Sequence, residues 1–444
     1  MTTILSQLTD VLLNVEFYIM LPVFMLVIAL ITGQNFQRSL KASITLGIGF
    51  IGIFIVFDHF VLQLGPVLEA LVLRTGVQMD VFDVGWPPMA RIAWSYRYVP
   101  VLLIFIIVIN LMAFKLNMCK TLNIDIWNFW HFIFLGQMVH VATGSLIWMF
   151  SVVMISELIV LLIADYSARD VHAFTGVEGI SITTLACVCY YPFAVFMNGL
   201  LDKWPFIKNL KADPKSLEKR LGFLGDPIAI GFLLGCGLGV SAGYHMMDTI
   251  ELAFNIAAVV FILPRVTQII NEGIIPISEG VKARLSLKYG HEKTANIGIH
   301  FALLMGDASV VVTGILMMPI VLIMSMTLPS IRFLPIASLP NLISIVPMVV
   351  VACNRHILKA VIISSLIMVG NFYVASGLSD FITVLGHQTG YNVPGYDGLY
   401  TSFLEGGNLL RYWLLELSQL SWIGLLGLPV AVCLLLYTRQ KRYV

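Results

Sequence analysis

Charge is what this chain has least of. Only 11% of its 444 residues are Asp, Glu, Lys or Arg, while 59% are hydrophobic. A typical soluble domain carries about 25% charged residues. The net charge of +1 and the lack of any basic domain exclude a nucleic-acid partner. Cysteine is also scarce. The six, at 119, 187, 189, 236, 353 and 433, form no CxxC pair, which argues against a zinc site or a disulfide framework. No Walker-type phosphate loop, metal-ligating cluster or nucleophile–base motif is present, so neither a metal nor another cofactor is expected. Residues 1–10 lack the basic stretch of a signal peptide, and the first apolar run reads as a retained helix.

What the chain has in abundance is apolar runs near the length of about 20 residues that spans a bilayer. They place spanning helices at 17–34, 42–63, 98–115, 131–149, 150–165, 228–246, 254–270, 313–330, 341–354, 358–378 and 412–437. The expected fold class is an all-α polytopic membrane protein with eleven crossings. The basic clusters fix the orientation. The loop 202–226 carries Lys203, Lys208, Lys211, Lys215, Lys219 and Arg220. Further clusters lie at Arg38/Lys41, Lys115/Lys120, Lys282/Arg284/Lys288/Lys293, Arg355/Lys359 and Arg439/Lys441/Arg442. With the N-terminus outside and the C-terminus inside, every cluster falls on the cytoplasmic face. Only the scattered Arg74, Arg91, Arg97 and Arg332 fall outside.

Four stretches mix apolar residues with Gly, Pro and charge. They are 80–97, 172–199, 298–312 and 386–411. Irregular backbone at membrane depth persists only inside protein or beside water, so these read as re-entrant hairpins. Their order suggests a repeat. Residues 1–201 hold helices 1–5 and two hairpins. Residues 227–411 hold helices 6–10 and two more, after the basic loop 202–226; 412–444 form an extra helix and tail. Five crossings per unit makes the second unit inverted, a pattern of secondary-transporter folds with a site near the midplane. Three amphipathic stretches, 65–74, 276–289 and 123–130, suit the membrane surface.

The polar groups in this apolar setting are the candidate ligand contacts. Asp83, Glu178, Asp307 and Glu405 lie on the four expected hairpins, Gln137 and His140 share a helix face, and Asn408 follows Gly406-Gly407. Trp86 could stack on a sugar face. A carboxylate at a loop tip can equally cap a helix. His131 and Asp125 read more readily as packing or structural groups.

Several words then point to a family. Asp83-Val-Gly-Trp-Pro87, Asn123-Ile-Asp-Ile-Trp-Asn128, His140-Val-Ala-Thr-Gly-Ser145, Val177-Glu-Gly-Ile180 and Gly225-Asp-Pro227 resemble the galactitol IIC permeases of the sugar phosphotransferase system, in order along essentially the whole chain. The resemblance implies a homodimer in the bacterial inner membrane. It implies a V-shaped scaffold of helices 1, 2, 6 and 7 and a moving transport core. It also implies a polyol substrate and a separate phosphorylated IIB protein as phosphoryl donor. Glu178 is then a candidate base for the attacking hydroxyl, and the basic loops candidate IIB docking sites. The chain departs from the family pattern, which has His at Asp307, Glu at Asp226, and Pro-His where Thr183-Thr184 stand. The polyol therefore stays open. An ion-coupled secondary transporter remains the alternative.

Overall fold

The computed structural model describes residues 17–76, 79–209, 212–289, 295–393 and 396–443. The N-terminal residues 1–10, Lys211 and Lys293 lie outside the described residues.

Two long helices dominate one side of the molecule. Helix Phe36–Thr75 has 40 residues and helix Met246–Tyr289 has 44. Asn35 caps the first by accepting from the Arg38 amide at 3.2 Å, and Gly76 ends it in the left-handed conformation at φ 64°. Both helices absorb the stretches expected to lie separately on the membrane surface, running through Pro66 and through Pro264 and Pro276. A proline removes one helical hydrogen bond but need not end a helix packed along a neighbour. These two helices touch backbone to backbone: a Cβ on Gly273 would meet the Ala42 carbonyl oxygen at 2.8 Å. Small residues at a crossing are what permit close van der Waals packing in lipid. Helices Phe17–Ile31 and Pro227–Ala242 complete this layer.

Among the described residues six helices are long and apolar enough to cross a membrane: those at Phe36–Leu71, Leu146–Thr175, Met246–Ile277, Ala308–Thr327, Ile357–Gly377 and Trp422–Arg442. A seventh results if Trp86–Trp94 and Val99–Lys115, bent by 97°, count as one span. Shorter apolar helices lie between them, among them Pro22–Ile31, Leu185–Leu201 and Pro227–Ala242. Exposed apolar side chains such as Ile44, Ile48, Ile55 and Leu62 recur at helical spacing along Phe36–Thr75, as expected of a face toward hydrocarbon.

Some boundaries differ from the sequence reading. Expected helices 131–149 and 150–165 are Trp130–Thr143 and Leu146–Thr175. The break falls at Gly144, which is left-handed at φ 67°, and Ser145, which caps the next helix. The expected crossing at 341–354 consists of short pieces, Leu342–Ile345 and Pro347–Ala352.

The body is mostly helical, as expected, and among the described residues five short strands are added: β1 Val81–Asp83, β2 Thr121–Asn123, β3 Ile180–Ile182, β4 Asn296–Ile299 and β5 Leu399–Thr401. All pairings are parallel. β1 pairs with β5, and β4 lies between β2 and β3. The reason is hydrogen-bond satisfaction. Irregular segments buried in an apolar body must pair their backbone groups with something, and here they pair with one another. The stretch 123–130, expected on the membrane surface, is instead interior: Asn123, Asp125, Asn128 and Trp130 are all buried.

Candidate functional site

The strands hold the loop ends, and a short polar network holds the strands. Asn123 receives a hydrogen bond on its amide oxygen from Thr183 at 2.8 Å. Its amide nitrogen donates to Glu157 at 3.2 Å, and its backbone carbonyl accepts from Asn110 at 2.6 Å. Asp125 accepts from Asn128 at 2.7 Å and from Thr184 at 2.9 Å. The Asn123–Asn128 word therefore ties β2 to helices Val99–Lys115 and Leu146–Thr175 and to the loop after β3. Thr183 and Thr184, where the family pattern is departed from, are its partners.

Asp83 does the same at the other sheet. Its carboxylate accepts from the amides of Ser338 at 2.8 Å, Phe403 at 3.0 Å and Gly85 at 3.4 Å, and from the Ser338 hydroxyl at 2.8 Å. β1, the 338 turn and the loop after β5 are thus fastened to one buried side chain.

Beside these knots lies a cavity of about 430 Å³. Its polar lining comprises Asp58, Asn128, His131, His300, Asn341, Ser344 and Glu405, with Trp86, Trp127 and Trp130 as aromatic walls. Behind Glu405 sits Arg411, itself buried. Arg411 Nη2 donates to Glu405 Oε2, and Nη1 donates to the Glu405 carbonyl at 2.5 Å. Arg411 Nη2 also reaches His131 Nδ1 at 3.0 Å, and Glu405 Oε2 lies 3.3 Å from the same nitrogen. A guanidinium only donates and a carboxylate only accepts, so Nδ1 accepts when it is bare and faces Arg411, and donates to Glu405 when it carries the proton. The His131 ring lies 3.8 Å from that of Trp130 and is held on the cavity wall by Arg411 and Glu405.

The sequence candidates divide. Trp86 and Glu405 line the cavity. Asp83 and Asn408 stand behind it; Asn408 caps helix Leu409–Ser418 by accepting from the Arg411 amide at 3.1 Å. Gln137 is buried but not in the lining, and His140 is bonded to the Tyr96 hydroxyl at 2.6 Å. Asp307 caps helix Ala308–Thr327 and pairs with Arg355 Nε at 2.7 Å, while Arg355 also donates to the Phe174 carbonyl. Glu178 has an exposed side chain 3.9 Å from His172. Neither carboxylate is brought to the cavity.

Sequence reasoning passed over Asp58, His300, Asn341 and Arg411. Asp58 and Arg411 carried a usable signal, being charges inside apolar helical segments. Asn341 and Ser344 carried none, because only the fold carries the 338–345 turn to the cavity.

Interrupted helices meeting at a buried polar cavity, in a body of apolar spans, define a membrane-embedded permease for a polar solute. The family model for the PTS system sugar-specific permease component matches residues 12–395, and the chain belongs to that family. A protein of Escherichia coli (strain K12), provisionally named permease IIC component, is 30% identical over 423 residues, covering 95% of this chain and 96% of its own. The galactitol-specific EIIC components of the PTS in E. coli K12 and O157:H7 are each 29% identical over 400 residues, covering 90% of this chain and 88% of theirs.

Proposed function

We propose that this chain is a IIC permease that takes up galactitol or a related polyol for phosphorylation by a IIB partner at the cytoplasmic face. The observation that carries this is the cavity lining. Its volume is within the usual range for small-ligand sites, roughly 300–1,000 Å³. Indole walls suit the C–H faces of a polyol, and the His131 ring with the Glu405 side chain suits its hydroxyls. Trp86, His131 and Glu405 are the proposed contacts. Asp83 and Asn408 position them.

The reading includes eleven crossings, N-out and C-in, in two inverted five-helix units, 1–201 and 227–411. Strand exchange supports the repeat. β1 of the first unit pairs with β5 of the second, and β4 of the second pairs with β3 of the first. The register equates Asp83 with Ile299 and Thr401 with Ile182. Counting onward, Glu405 matches Ala186 and Trp86 matches Ala302, and all four line the cavity. On this reading the repeat aligns on the strands, and Glu405 falls opposite Ala186. Helices Phe17–Ile31, Phe36–Thr75, Pro227–Ala242 and Met246–Tyr289 form the framework of a homodimer, and the remaining core moves against it in an elevator-like cycle.

Uptake of a labelled polyol into vesicles decides the matter. Uptake should require phosphorylated IIB and yield phosphorylated polyol inside. Accumulation of unmodified polyol driven by an imposed ion gradient, without IIB, would overturn the proposal in favour of a secondary transporter.

A further inference from the structure

We infer that Asp58 is a specificity-determining carboxylate that the framework helix contributes to the polyol site lined also by His131 and Glu405. The inference rests on the permease reading above and adds a residue to it.

Asp58 lies within the apolar span Phe36–Leu71 and lines the cavity together with Ile53 and Phe54 of the same helix. A carboxylate within a spanning helix is costly and persists where it serves a polar path or a partner. Its polar neighbours on the helix are already used. His59 Nε2 is bonded to Asn255 Oδ1 at 2.9 Å, and Asn255 Nδ2 donates to Gln63 at 3.4 Å, which stitches this helix to Met246–Tyr289. Among the described residues no hydrogen bond or ion pair engages the Asp58 carboxylate, and its side chain is exposed at the cavity.

Chemical need points the same way. Each polyol hydroxyl has a proton to donate, so the site needs acceptors. Part of the acceptor capacity on the core side is already engaged within the protein. Glu405 Oε2 is engaged by Arg411, and so is the Glu405 backbone carbonyl. The Asp58 carboxylate supplies two oxygens able to take neighbouring hydroxyls together. Because Asp58 is on the framework and His131 and Glu405 are on the core, a polyol held by both walls is read by both parts in this arrangement.

The test is equilibrium binding of galactitol, its hexitol stereoisomers and pentitols to purified protein in nanodiscs, read by fluorescence of the cavity tryptophans. Asp58→Asn should weaken the preferred polyol by roughly ten- to a hundredfold, the loss expected for a hydrogen bond to a charged group. Asp58→Glu, which keeps the charge on a longer stem, should reorder the stereoisomers. Thermal midpoints and elution as the parental assembly establish that each variant is folded, and whichever of the two folds carries the test. Parental affinity and ranking in a folded variant would overturn the role of Asp58 alone. A parent protein that binds none of the polyols would overturn the substrate reading, and this inference with it.

Discussion

His131 and Arg411 share a 3.0 Å hydrogen bond in which only the arginine has protons to give. Glu405 Oε2 lies 3.3 Å from the same imidazole nitrogen, so Arg411 favours a bare Nδ1 and Glu405 a protonated one. The residues are 280 positions apart in sequence.

The tautomer is directly measurable. If the Arg411 contact outweighs the Glu405 one, nitrogen-15 spectra of histidine-labelled protein should show His131 with a bare Nδ1 and a protonated Nε2 at neutral pH. His131→Asn retains an acceptor near Nδ1 for Arg411 but lacks the distal donor. It should fold, and should bind polyol several-fold more weakly, in keeping with about 0.5–1.5 kcal/mol for one hydrogen bond. A protonated Nδ1, or unchanged affinity in His131→Asn, would refute a donor role for His131 Nε2.

The basis of the fold was legible in composition: the scarcity of charge and the apolar runs suffice to announce a polytopic membrane protein. The Asn123–Asn128 word was also legible as unusual. Its purpose was not, because Asn123 bonds Glu157 and Asp125 bonds Thr184, partners 34 and 59 residues away. Asp307 and Glu405 show the same limit. Each is a carboxylate in a glycine-bearing loop among apolar residues. Arg355 and a helix N-terminus engage one, while Arg411 and the cavity wall engage the other. Only tertiary structure separates them. The short strands were invisible because three-residue segments have no periodicity to read.

Asp80 and Arg332 supply a contrast from the exposed loops. Arg332 Nη2 meets Asp80 at 2.6 Å and Nη1 meets Asp380 at 3.1 Å. The hydrogen bond from Arg332 lowers the Asp80 pKa below 3.8. A lowered carboxylate pKa contributes stability that is present above the unfolded value and is lost as pH falls through the folded one. The fork should therefore weaken only below about pH 4. Both carboxylates are largely exposed, so the contribution should be small, about 0–1 kcal/mol. Asp80→Asn should shift the thermal midpoint slightly at pH 6 and not at pH 2, leaving polyol affinity unchanged. A large loss at pH 6 would show that the fork holds β1 in place.

Glu405 and Arg411 should behave quite differently, since both are buried. Glu405→Gln leaves the guanidinium without its counter-charge, and breaking one side of a buried pair costs about 3–5 kcal/mol. The single variant should lose a large part of its thermal stability. Glu405→Gln combined with Arg411→Met removes both charges and should recover most of that stability. It should not recover binding, because the donor path to His131 is gone. A double variant no more stable than the single one would mean that Arg411 stabilises the fold through its contact with the Glu405 carbonyl instead.

Asp83 tests whether a carboxylate so close to the cavity acts on the ligand or on the protein. Four donors converge on it, from Gly85, Ser338 and Phe403. That leaves little capacity for a ligand, so its role is to clamp β1, the 338 turn and the loop leading to Glu405. In Asp83→Asn, one accepting oxygen becomes an amide that faces a donor. The loss of charge-assisted bonds, each about 1.5–3 kcal/mol, should appear first as lower thermal stability. Affinity should fall only through displacement of Trp86 and Glu405, so all polyols should weaken by a similar factor. A ligand contact predicts the opposite pattern: stability close to the parent's, with a loss concentrated on the polyols that carry one particular hydroxyl. Thermal unfolding and the polyol panel, measured on the same preparation, separate the two, and the second pattern would move Asp83 from the clamp to the binding wall.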